Sequence, residues 1–180
     1  NRASYPGSGT TATDTINNTT GTLQSLGMFE NVNNGVFDFD GATNYINFNS
    51  INLGTTYTIQ FWVKRGNIGN TGVIIGNSTG TQKNTVLFNG INYIYFRLQG
   101  DNTYLALTPY LGGSSYASLP FRNTTDWGMY TVTRNGDNVD FYINTQNIGV
   151  GTAPSAGAGD TNTGWIGASN ANAIRLLASI

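Results

Sequence analysis

The stretch Tyr57-Thr58-Ile59-Gln60-Phe61-Trp62-Val63-Lys64 decides the fold class, because every second residue in it is apolar. Side chains alternate between the two faces of a β-strand, so this period of two predicts a strand with one face toward a core. One face carries Tyr57, Ile59, Phe61 and Val63, and the other carries Thr58, Gln60, Trp62 and Lys64.

Further strand-like segments occur on both sides of this stretch, with the short, regular spacing that is typical of a β-sandwich. Asn89-Gly90 and Asn135-Gly136 predict hairpin turns, since Asn-Gly tolerates the positive φ angles of type I′ turns. Residues 1–35 are polar and predict an ordered loop or an edge strand, anchored by Leu23, Leu26, Met28 and Phe29. We predict strands at 36–39, 45–48, 57–64, 72–75, 85–88, 92–98, 104–108, 129–134, 139–143, 164–167 and 174–177, and long non-strand stretches at 109–125 and 149–163.

The amino-acid composition excludes several classes of function. The 180 residues include 24 Gly, only 9% charged residues and a net charge of −1, with neither His nor Cys. Mechanisms and metal sites that need imidazole or thiolate are therefore excluded, as are disulfides. The balance of eight Lys and Arg against nine Asp and Glu argues against a nucleic-acid partner. No apolar run is long enough to span a bilayer as a helix. We predict one domain over residues 1–180.

Two parts of the N-terminal half resemble a known family. Tyr5-Pro6-Gly7-Ser8-Gly9-Thr10, with Asp14 and Gly21-Thr22-Leu23, is similar to the opening of concanavalin A-like, laminin-G-type jelly-roll domains. Such domains occur in bacteriophage virion proteins and some bacterial surface proteins. The run from Gly35 to Gly41, followed by Asn44-Tyr45-Ile46, resembles the strand pair that follows in that family.

The same family order continues to the C-terminal half. Tyr57 to Lys64 resembles the family's tryptophan-containing strand, and Trp127 to Arg134 with Phe141-Tyr142-Ile143-Asn144 resembles its late hairpin. The opening departs from the pattern at Ile16-Asn17-Asn18-Thr19. The resemblance also implies that one family strand precedes Asn1 and another follows Ile180, so that the domain is cut at both ends.

Periodicity and resemblance together predict an all-β fold in which two antiparallel sheets pack face to face as a jelly roll. The core is predicted from the apolar positions of the strands. It consists of Phe37, Phe39, Ile59, Phe61, Val63, Ile75, Leu87, Val132, Phe141 and Ile143.

Catalysis is not expected. Related jelly rolls include glucanases, which need two carboxyl groups at a fixed separation for glycoside hydrolysis. The sole glutamate, Glu30, lies in a loop-like stretch, and Asp38 and Asp40 flank a turn in which Asp is favoured for structural reasons. Asp137 and Asp140 follow the second Asn-Gly turn and are predicted to be solvated. We therefore predict no catalytic residue.

Calcium is the other chemistry that the resemblance implies, because some family members bind it at a sandwich rim. Lys64-Arg65-Gly66-Asn67-Ile68 stands where pentraxins supply ligands, and this stretch has no carboxylate. Only Asp101-Asn102 and Asp126 remain as rim acids, and Ca²⁺ prefers several anionic oxygens. We predict neither a metal site nor a cofactor.

Glycan binding fits the composition better, since sugars stack on flat aromatic faces and hydrogen-bond to amide and hydroxyl groups. The candidate residues are Tyr104, Tyr110, Tyr116 and Trp127, which lie among Ser, Gly and Asn residues as in adaptable binding loops. Tyr93 and Tyr95 are secondary candidates on a sheet face. The alternative is that these aromatic residues cap the core or pack against a neighbouring subunit.

The sequence thus predicts a non-catalytic, surface-displayed module with lectin-like adhesion to glycans or a host surface. We expect it to be a decoration or fibre-associated domain on a phage particle, with other virion proteins and copies of itself as partners. A secreted or bacterial-surface location is the alternative. Two other functions stay open: a purely structural decoration domain of a capsid or tail, and a glycoside hydrolase.

Overall fold

A computed structural model describes residues 4–25, 27–32, 35–66, 72–76, 85–89, 93–97, 126–152, 162–167 and 177–179. In these ranges the chain is all-β and contains no helix. The strands are β1 (Thr11–Thr13), β2 (Thr20–Leu23), β3 (Phe29–Glu30), β4 (Val36–Asp40), β5 (Ile46–Asn52), β6 (Thr56–Arg65), β7 (Gly72–Gly76), β8 (Thr85–Asn89), β9 (Tyr93–Arg97), β10 (Trp127–Asn135), β11 (Asn138–Ile143), β12 (Gln146–Thr152), β13 (Asn162–Ile166) and β14 (Leu177–Ser179).

The described strands form two antiparallel sheets, as the alternation of apolar residues predicts. The first sheet has the order β1-β2-β5-β13-β7-β8-β9, and the second has the order β12-β11-β10-β6-β14-β4-β3. Strands that are distant in sequence are neighbours in both sheets, which is typical of a jelly roll rather than of a meander of hairpins. The predicted fold class is confirmed.

The pairing of β6 with β10 is the longest ladder of the second sheet. It runs without a register shift from Trp127 opposite Lys64 to Asn135 opposite Thr56. At its centre the rings of Phe61 and Tyr130 are stacked, with centroids 5.7 Å apart and an interplanar angle of 5°. This ladder fixes which side chains of both strands face the core and which face outward.

The core lies between the sheets and contains most of the predicted residues. Phe39, Phe61, Val63, Val132, Phe141 and Ile143 are buried, while Phe37, Ile59 and Ile75 are partly buried and pack against them. The side chain of Leu87 lies outside the described part. The core also includes residues that periodicity did not single out: Tyr5, Leu23, Met28, Ile46, Ile74, Tyr130 and Val139.

The N-terminal region is more regular than predicted. It contributes the hairpin β1-β2 to one edge of the first sheet and β3 to one edge of the second. Leu23 and Met28 are buried anchors and Phe29 is partly buried, whereas Leu26 lies outside the described residues. Because β3 contains Glu30, the prediction that this residue lies in a loop is wrong.

Two predicted boundaries near the C-terminus are also wrong. Residues 149–152 are not a loop but belong to β12, which pairs with β11 with one register shift, between Phe141 and Tyr142. Gly149 and Gly151 weaken the strand signal in this sequence, and backbone pairing at a sheet edge does not require large side chains. At the other end of the same predicted stretch, Asn162 and Thr163 belong to β13. Of the predicted strand 174–177, residues 174–176 lie outside the described part, and Leu177 belongs to β14. The predicted strand 104–108 and the stretch 109–125 lie outside the described residues.

Two arginines on the inner face of the second sheet are buried. Arg65, at the end of β6, is 5% exposed, and Arg134, near the end of β10, is 3% exposed. Burial lowers the pKa of Arg65, and the neighbouring Tyr130 counteracts this effect. Arg134 donates from Nε to the carbonyl oxygen of Gly136 at 2.9 Å, while its Nη1 has no hydrogen-bond partner in the described part of the chain.

The turn between β11 and β12 is strained. Both of its central residues have positive φ angles, 47° for Asn144 and 72° for Thr145. Asn tolerates this region, but a β-branched residue such as Thr is a true outlier there. Asn144 also fixes the turn to β10, because its Oδ1 accepts a hydrogen bond from the Met129 amide at 2.8 Å.

We therefore expect Thr145→Gly to stabilise the protein. Relief of the strain exceeds the entropy that glycine loses on folding, so the free energy of unfolding should rise by about 1 kcal/mol. Thermal unfolding followed by circular dichroism measures this as an increase in Tm of roughly 2–4 °C. Thr55→Gly is the matched control, an exposed turn residue without a positive φ, and it should lower Tm. Equal effects of the two substitutions would contradict this explanation.

Candidate functional site

The predicted glycan-binding residues lie mostly outside the described part of the chain. Three of the four, Tyr104, Tyr110 and Tyr116, lie outside the described residues. Trp127 is described: it is the first residue of β10, and its side chain is half-buried. Tyr93 and Tyr95 belong to β9, at the edge of the first sheet, where only the backbone is described.

The outer face of the second sheet carries an exposed tryptophan. In β6, Phe61 and Val63 face the core, so Trp62 faces outward, where it is 55% exposed. Met129 of β10 lies directly opposite Trp62 in the ladder. Residues opposite each other in an antiparallel pair have Cβ atoms about 5 Å apart, so these two side chains are neighbours on that face.

Two more aromatic residues lie on the same face. Trp127 precedes Met129 by two positions and is diagonal to Trp62, and Tyr142 of β11 is diagonal to Met129 on the other side. Diagonal neighbours are about 7–8 Å apart at Cα, within reach of large side chains. We call Trp62, Trp127, Met129 and Tyr142 the outer-face aromatic patch.

Polar groups surround the outer-face aromatic patch. Gln60 donates from Nε2 to the Thr131 hydroxyl at 3.1 Å, which joins β6 to β10. Lys64 lies directly opposite Trp127, and its side chain is exposed. Asn147 donates from Nδ2 to an Asp140 carboxylate oxygen at 3.3 Å at the edge of the same face. Flat aromatic surface bordered by amide, hydroxyl and charged groups can bind a polyhydroxylated ligand.

Trp127 was predicted as a candidate, but Trp62 and Tyr142 were not. The alternation of Tyr57 to Lys64 already placed Trp62 on the face away from the core. A tryptophan among polar residues on that face is the sequence signal that would have identified Trp62 as a candidate. The sequence did not show that Trp127 and Trp62 occupy neighbouring positions, since this depends on the register of β6 against β10.

Asp40 has a structural role, as predicted. Its Oδ1 accepts hydrogen bonds from the backbone amides of Ala42, Thr43 and Asn44 at 2.8–3.0 Å, and its Oδ2 accepts one from the Thr43 hydroxyl at 2.6 Å. Partial burial favours a higher pKa, but these hydrogen bonds outweigh it and hold the pKa of Asp40 well below its usual range. Such a carboxylate stabilises the turn and is not suited to act as a general acid.

The other described acidic residues are scattered. Asp38 and Asp137 are exposed, Glu30 is exposed on β3, and Asp140 is half-buried rather than fully solvated because it accepts the hydrogen bond from Asn147. Among the residues that the structure describes, no three acidic side chains converge as metal ligands would. Asp126 is exposed, and Asp101 lies outside the described part.

A search for membrane-crossing helices gives no candidate in the described ranges: none contains a helix of the required length and hydrophobicity.

Comparison with solved structures identifies the same fold in carbohydrate-related and phage proteins. Domain 4 of AbnA, a GH43 extracellular arabinanase from Geobacillus stearothermophilus, solved with arabinotriose, has a TM-score of 0.65 and 14% identity, covering 93% of this chain and 82% of that one. The binding domain of Botulinum Neurotoxin DC, solved with SialylT, has a TM-score of 0.66 and 14% identity. The match covers 93% of this chain and 42% of that one.

A third similar structure comes from a phage. The enzymatically active domain of bacteriophage CBA120 tailspike protein 2 has a TM-score of 0.58 and 13% identity, covering 97% of this chain and 29% of that one. The chain thus spans less than half of the neurotoxin and tailspike structures. At these identities the likeness shows the fold alone.

Sequence comparison establishes the family. No curated protein matches the chain in sequence. The profile of the Concanavalin A-like lectin/glucanases superfamily, in its Laminin_G_3 form, matches residues 40–180. Since this match covers most of the sequence, the chain belongs to the concanavalin A-like lectin/glucanases superfamily.

Proposed function

We propose that the chain is a non-catalytic, lectin-like module that binds glycans through the outer-face aromatic patch. The observation that carries this proposal is Trp62, a tryptophan that is 55% exposed in a central strand and has Met129 and Trp127 as neighbours. Large exposed apolar groups that lie together on a sheet mark interaction surfaces.

The chemistry of the patch fits a saccharide. An indole ring offers a wide apolar face to the C–H side of a pyranose or furanose ring, and it loses little conformational entropy on binding. Hydroxyl groups of the sugar need polar partners around that face, and Gln60, Lys64 and Asn147 lie around it. A sheet holds these side chains more rigidly than a loop, which lowers the cost of binding.

The similar solved structures and the family membership are consistent with glycan binding. The AbnA domain was solved with arabinotriose and the neurotoxin binding domain with SialylT, and both share the fold of this chain. Membership of a superfamily that includes lectins is consistent with the same function. Arabino-oligosaccharides and sialylated glycans are therefore the first saccharides to test.

Trp62→Ala is expected to weaken glycan binding at least tenfold, because truncating a central aromatic anchor costs more than about 1.4 kcal/mol. The chain is first screened on a glycan array that includes arabino-oligosaccharides and sialylated glycans. The best-bound saccharide is then titrated calorimetrically against wild type and variants. Trp127→Ala should weaken the same interaction, since this residue lies beside Trp62 on the patch.

Ile16→Ala is the matched control for Trp62→Ala, since Ile16 is 84% exposed and lies far from the patch in sequence, between β1 and β2. It should leave the affinity unchanged. Circular dichroism and Tm show whether each variant is folded. If folded Trp62→Ala and Trp127→Ala both bind the saccharide as tightly as wild type does, the patch is not the glycan site.

A second candidate function uses the same surface. The exposed area of Trp62 and Met129 also suits a protein contact, since aromatic residues and Met are enriched in interface cores. In this case the chain is a structural decoration domain whose patch is covered by a copy of itself or by a virion protein. Sedimentation equilibrium distinguishes the two functions, because Trp62→Ala would then dissociate an oligomer and no array saccharide would bind.

Glycoside hydrolysis is the third alternative, since the superfamily includes glucanases. Two observations argue against hydrolysis. The Asp40 carboxylate accepts hydrogen bonds within its own turn, and the other described acidic residues do not lie together as a catalytic pair would. Release of reducing sugar from a β-glucan or arabinan by the purified chain would favour the enzyme over the lectin.

We further propose that the module is displayed on the surface of a phage particle. The sequence motifs that resemble phage virion domains and the fold shared with a phage tailspike domain support this location. Immunogold labelling of intact particles with an antibody against the chain tests it. Labelling of secreted material or of bacterial cells alone would favour the other two locations.

A further inference from the structure

A cleft of about 310 Å³ opens between the two sheets, away from the outer-face aromatic patch. One wall belongs to the first sheet and includes Ile46, Phe48 and Ile166. Phe37 and Phe39 of β4, in the second sheet, form the opposite wall. The cleft therefore lies in the apolar layer between the sheets rather than on an outer face.

The walls of the cleft are apolar but incompletely covered. Ile51, which also lines it, is 45% exposed, and Phe37 and Phe48 are only half-buried. Apolar side chains at such positions normally fill the space between two sheets with density close to that of a crystal. The unfilled space and partly wet walls are the properties of a pocket for an apolar ligand.

The size of the cleft limits the ligand. A dry cavity of about 150 Å³ accommodates one benzene ring, so about twice that volume accommodates an apolar group of roughly ten to twelve carbon atoms. This is within the lower part of the range for small-molecule sites, about 300–1,000 Å³. A polysaccharide chain does not fit these dimensions or this lining.

Five polar residues also line the cleft, although nearly all of the surface that it exposes is apolar: Ser4, Thr13, Asp14, Thr19 and Thr20. Of these, Asp14 is the acidic one. Two of the hydrogen bonds to its carboxylate are short: the Ile16 amide donates to Oδ1 and the Asn17 side-chain amide donates to Oδ2, each at 2.9 Å. The hydrogen bond from Ile16, and then that from Asn17, lower the pKa of Asp14, so this residue stays anionic at neutral pH.

We infer that the cleft binds a small amphiphile whose apolar part has up to about ten carbon atoms and whose head group is uncharged or cationic. The apolar part lies between Phe37, Phe39 and Ile46, and the head group lies beside Asp14 and the Ser and Thr residues of the lining. A head group with negative charge is disfavoured because it would lie beside the Asp14 carboxylate. This site is independent of the glycan site on the outer face.

Three eight-carbon probes with different head groups test the ligand class: 1-octanol, octylammonium and octanoate. They are titrated into the ¹⁵N-labelled chain and followed by amide chemical shifts. We expect 1-octanol and octylammonium to shift the amides of β1, β2 and β5 with Kd values below about 1 mM. Octanoate should bind roughly fivefold more weakly, given like charges at a partly solvated site.

Two substitutions on β1 localise the binding. Ala12 lines the cleft, so Ala12→Phe should fill it and weaken 1-octanol binding at least tenfold. Thr11, the preceding residue, is exposed and does not line the cleft, so Thr11→Phe is the matched control and should bind as wild type does. Asp14→Asn should bring octanoate to within about twofold of 1-octanol, since it removes the charge that repels the anion.

A series of alcohols from 1-hexanol to 1-dodecanol keeps the test valid if Ala12→Phe does not fold. Affinity should rise with chain length and level off near ten carbons, whereas non-specific partitioning would continue to rise. The inference is overturned if saturating 1-octanol shifts no amide near the cleft, if folded Ala12→Phe binds it unchanged, or if octanoate binds as tightly as the other two probes. Trp62→Ala should retain 1-octanol binding, so failure of the glycan proposal and failure of this one are distinguishable.

Discussion

Gly167→Ala is expected to destabilise the protein by about 3 kcal/mol, the sum of a backbone term and a packing term. Gly167 follows β13 and has a φ angle of +81°, which disfavours any residue with a Cβ. A Cβ at this position would lie 2.3 Å from the ring of Phe39, which is 1% exposed, so the ring cannot keep its packed position. The backbone also cannot shift freely, because the Gly167 amide donates to the Ile74 carbonyl oxygen at 2.9 Å.

Thermal unfolding should show this loss as a decrease in Tm of roughly 6–12 °C. Gly27→Ala is the matched control, since Gly27 has a similar φ of +87° but no atom within 4 Å of the added Cβ. It should cost only the backbone term, about 1 kcal/mol. In the Gly167→Ala background, Phe39→Leu should cost less than it does in wild type, because the smaller side chain relieves the clash. A similar loss for both glycine substitutions would contradict the packing explanation.

The second prediction is that the protein loses stability between pH 10 and pH 12 through Tyr57. Burial raises the pKa of Tyr57 to about 12, although the neighbouring Arg134 guanidinium counteracts the rise. In the unfolded chain a tyrosine ionises near pH 10. Below pH 10 the Tyr57 phenol is neutral in both the folded and the unfolded state, so its contribution to the free energy of unfolding is fully present.

Between the two pKa values only the unfolded state releases the proton, so the free energy of unfolding falls as pH rises. For one group with this difference the total loss is about 2 kcal/mol after allowance for partial solvent access. Urea unfolding at intervals between pH 8 and pH 12 measures the slope. Tyr57→Phe should flatten it, and Tyr130→Phe should flatten it further, because burial also raises the pKa of Tyr130. A slope unaffected by Tyr57→Phe would contradict the assignment.

Much of the fold followed from local pattern. The alternation from Tyr57 to Lys64 predicted both the strand and its inward face, and Phe61 and Val63 are indeed buried. Asp40 was predicted to have a structural role at a turn, and the hydrogen bonds that its carboxylate accepts from Ala42 and Thr43 show this role. These features depend on a few neighbouring residues, so the sequence contains the information directly.

The remaining features depend on contacts between distant residues. Strand β12 was missed because its pairing with β11 is made by the backbone, which leaves no side-chain signal at Gly149 or Gly151. Arg65 continues the inward alternation after Val63, one residue beyond the predicted strand 57–64. Its buried guanidinium interacts with Tyr130 of β10, and no local pattern shows this proximity between two strands.

The candidate sites also combine features set by local sequence with features set by contacts between distant residues. The sequence by itself determined an all-β chain without imidazole or thiol and with Trp62 on the outward face of a strand, because composition and a period of two are local properties. Only the tertiary structure decided that Trp62 lies beside Trp127, that a cleft remains between Phe39 and Ile46, and that Gly167 admits no side chain. Those facts depend on strand register and on the packing of one sheet against the other, which no single segment of the chain specifies.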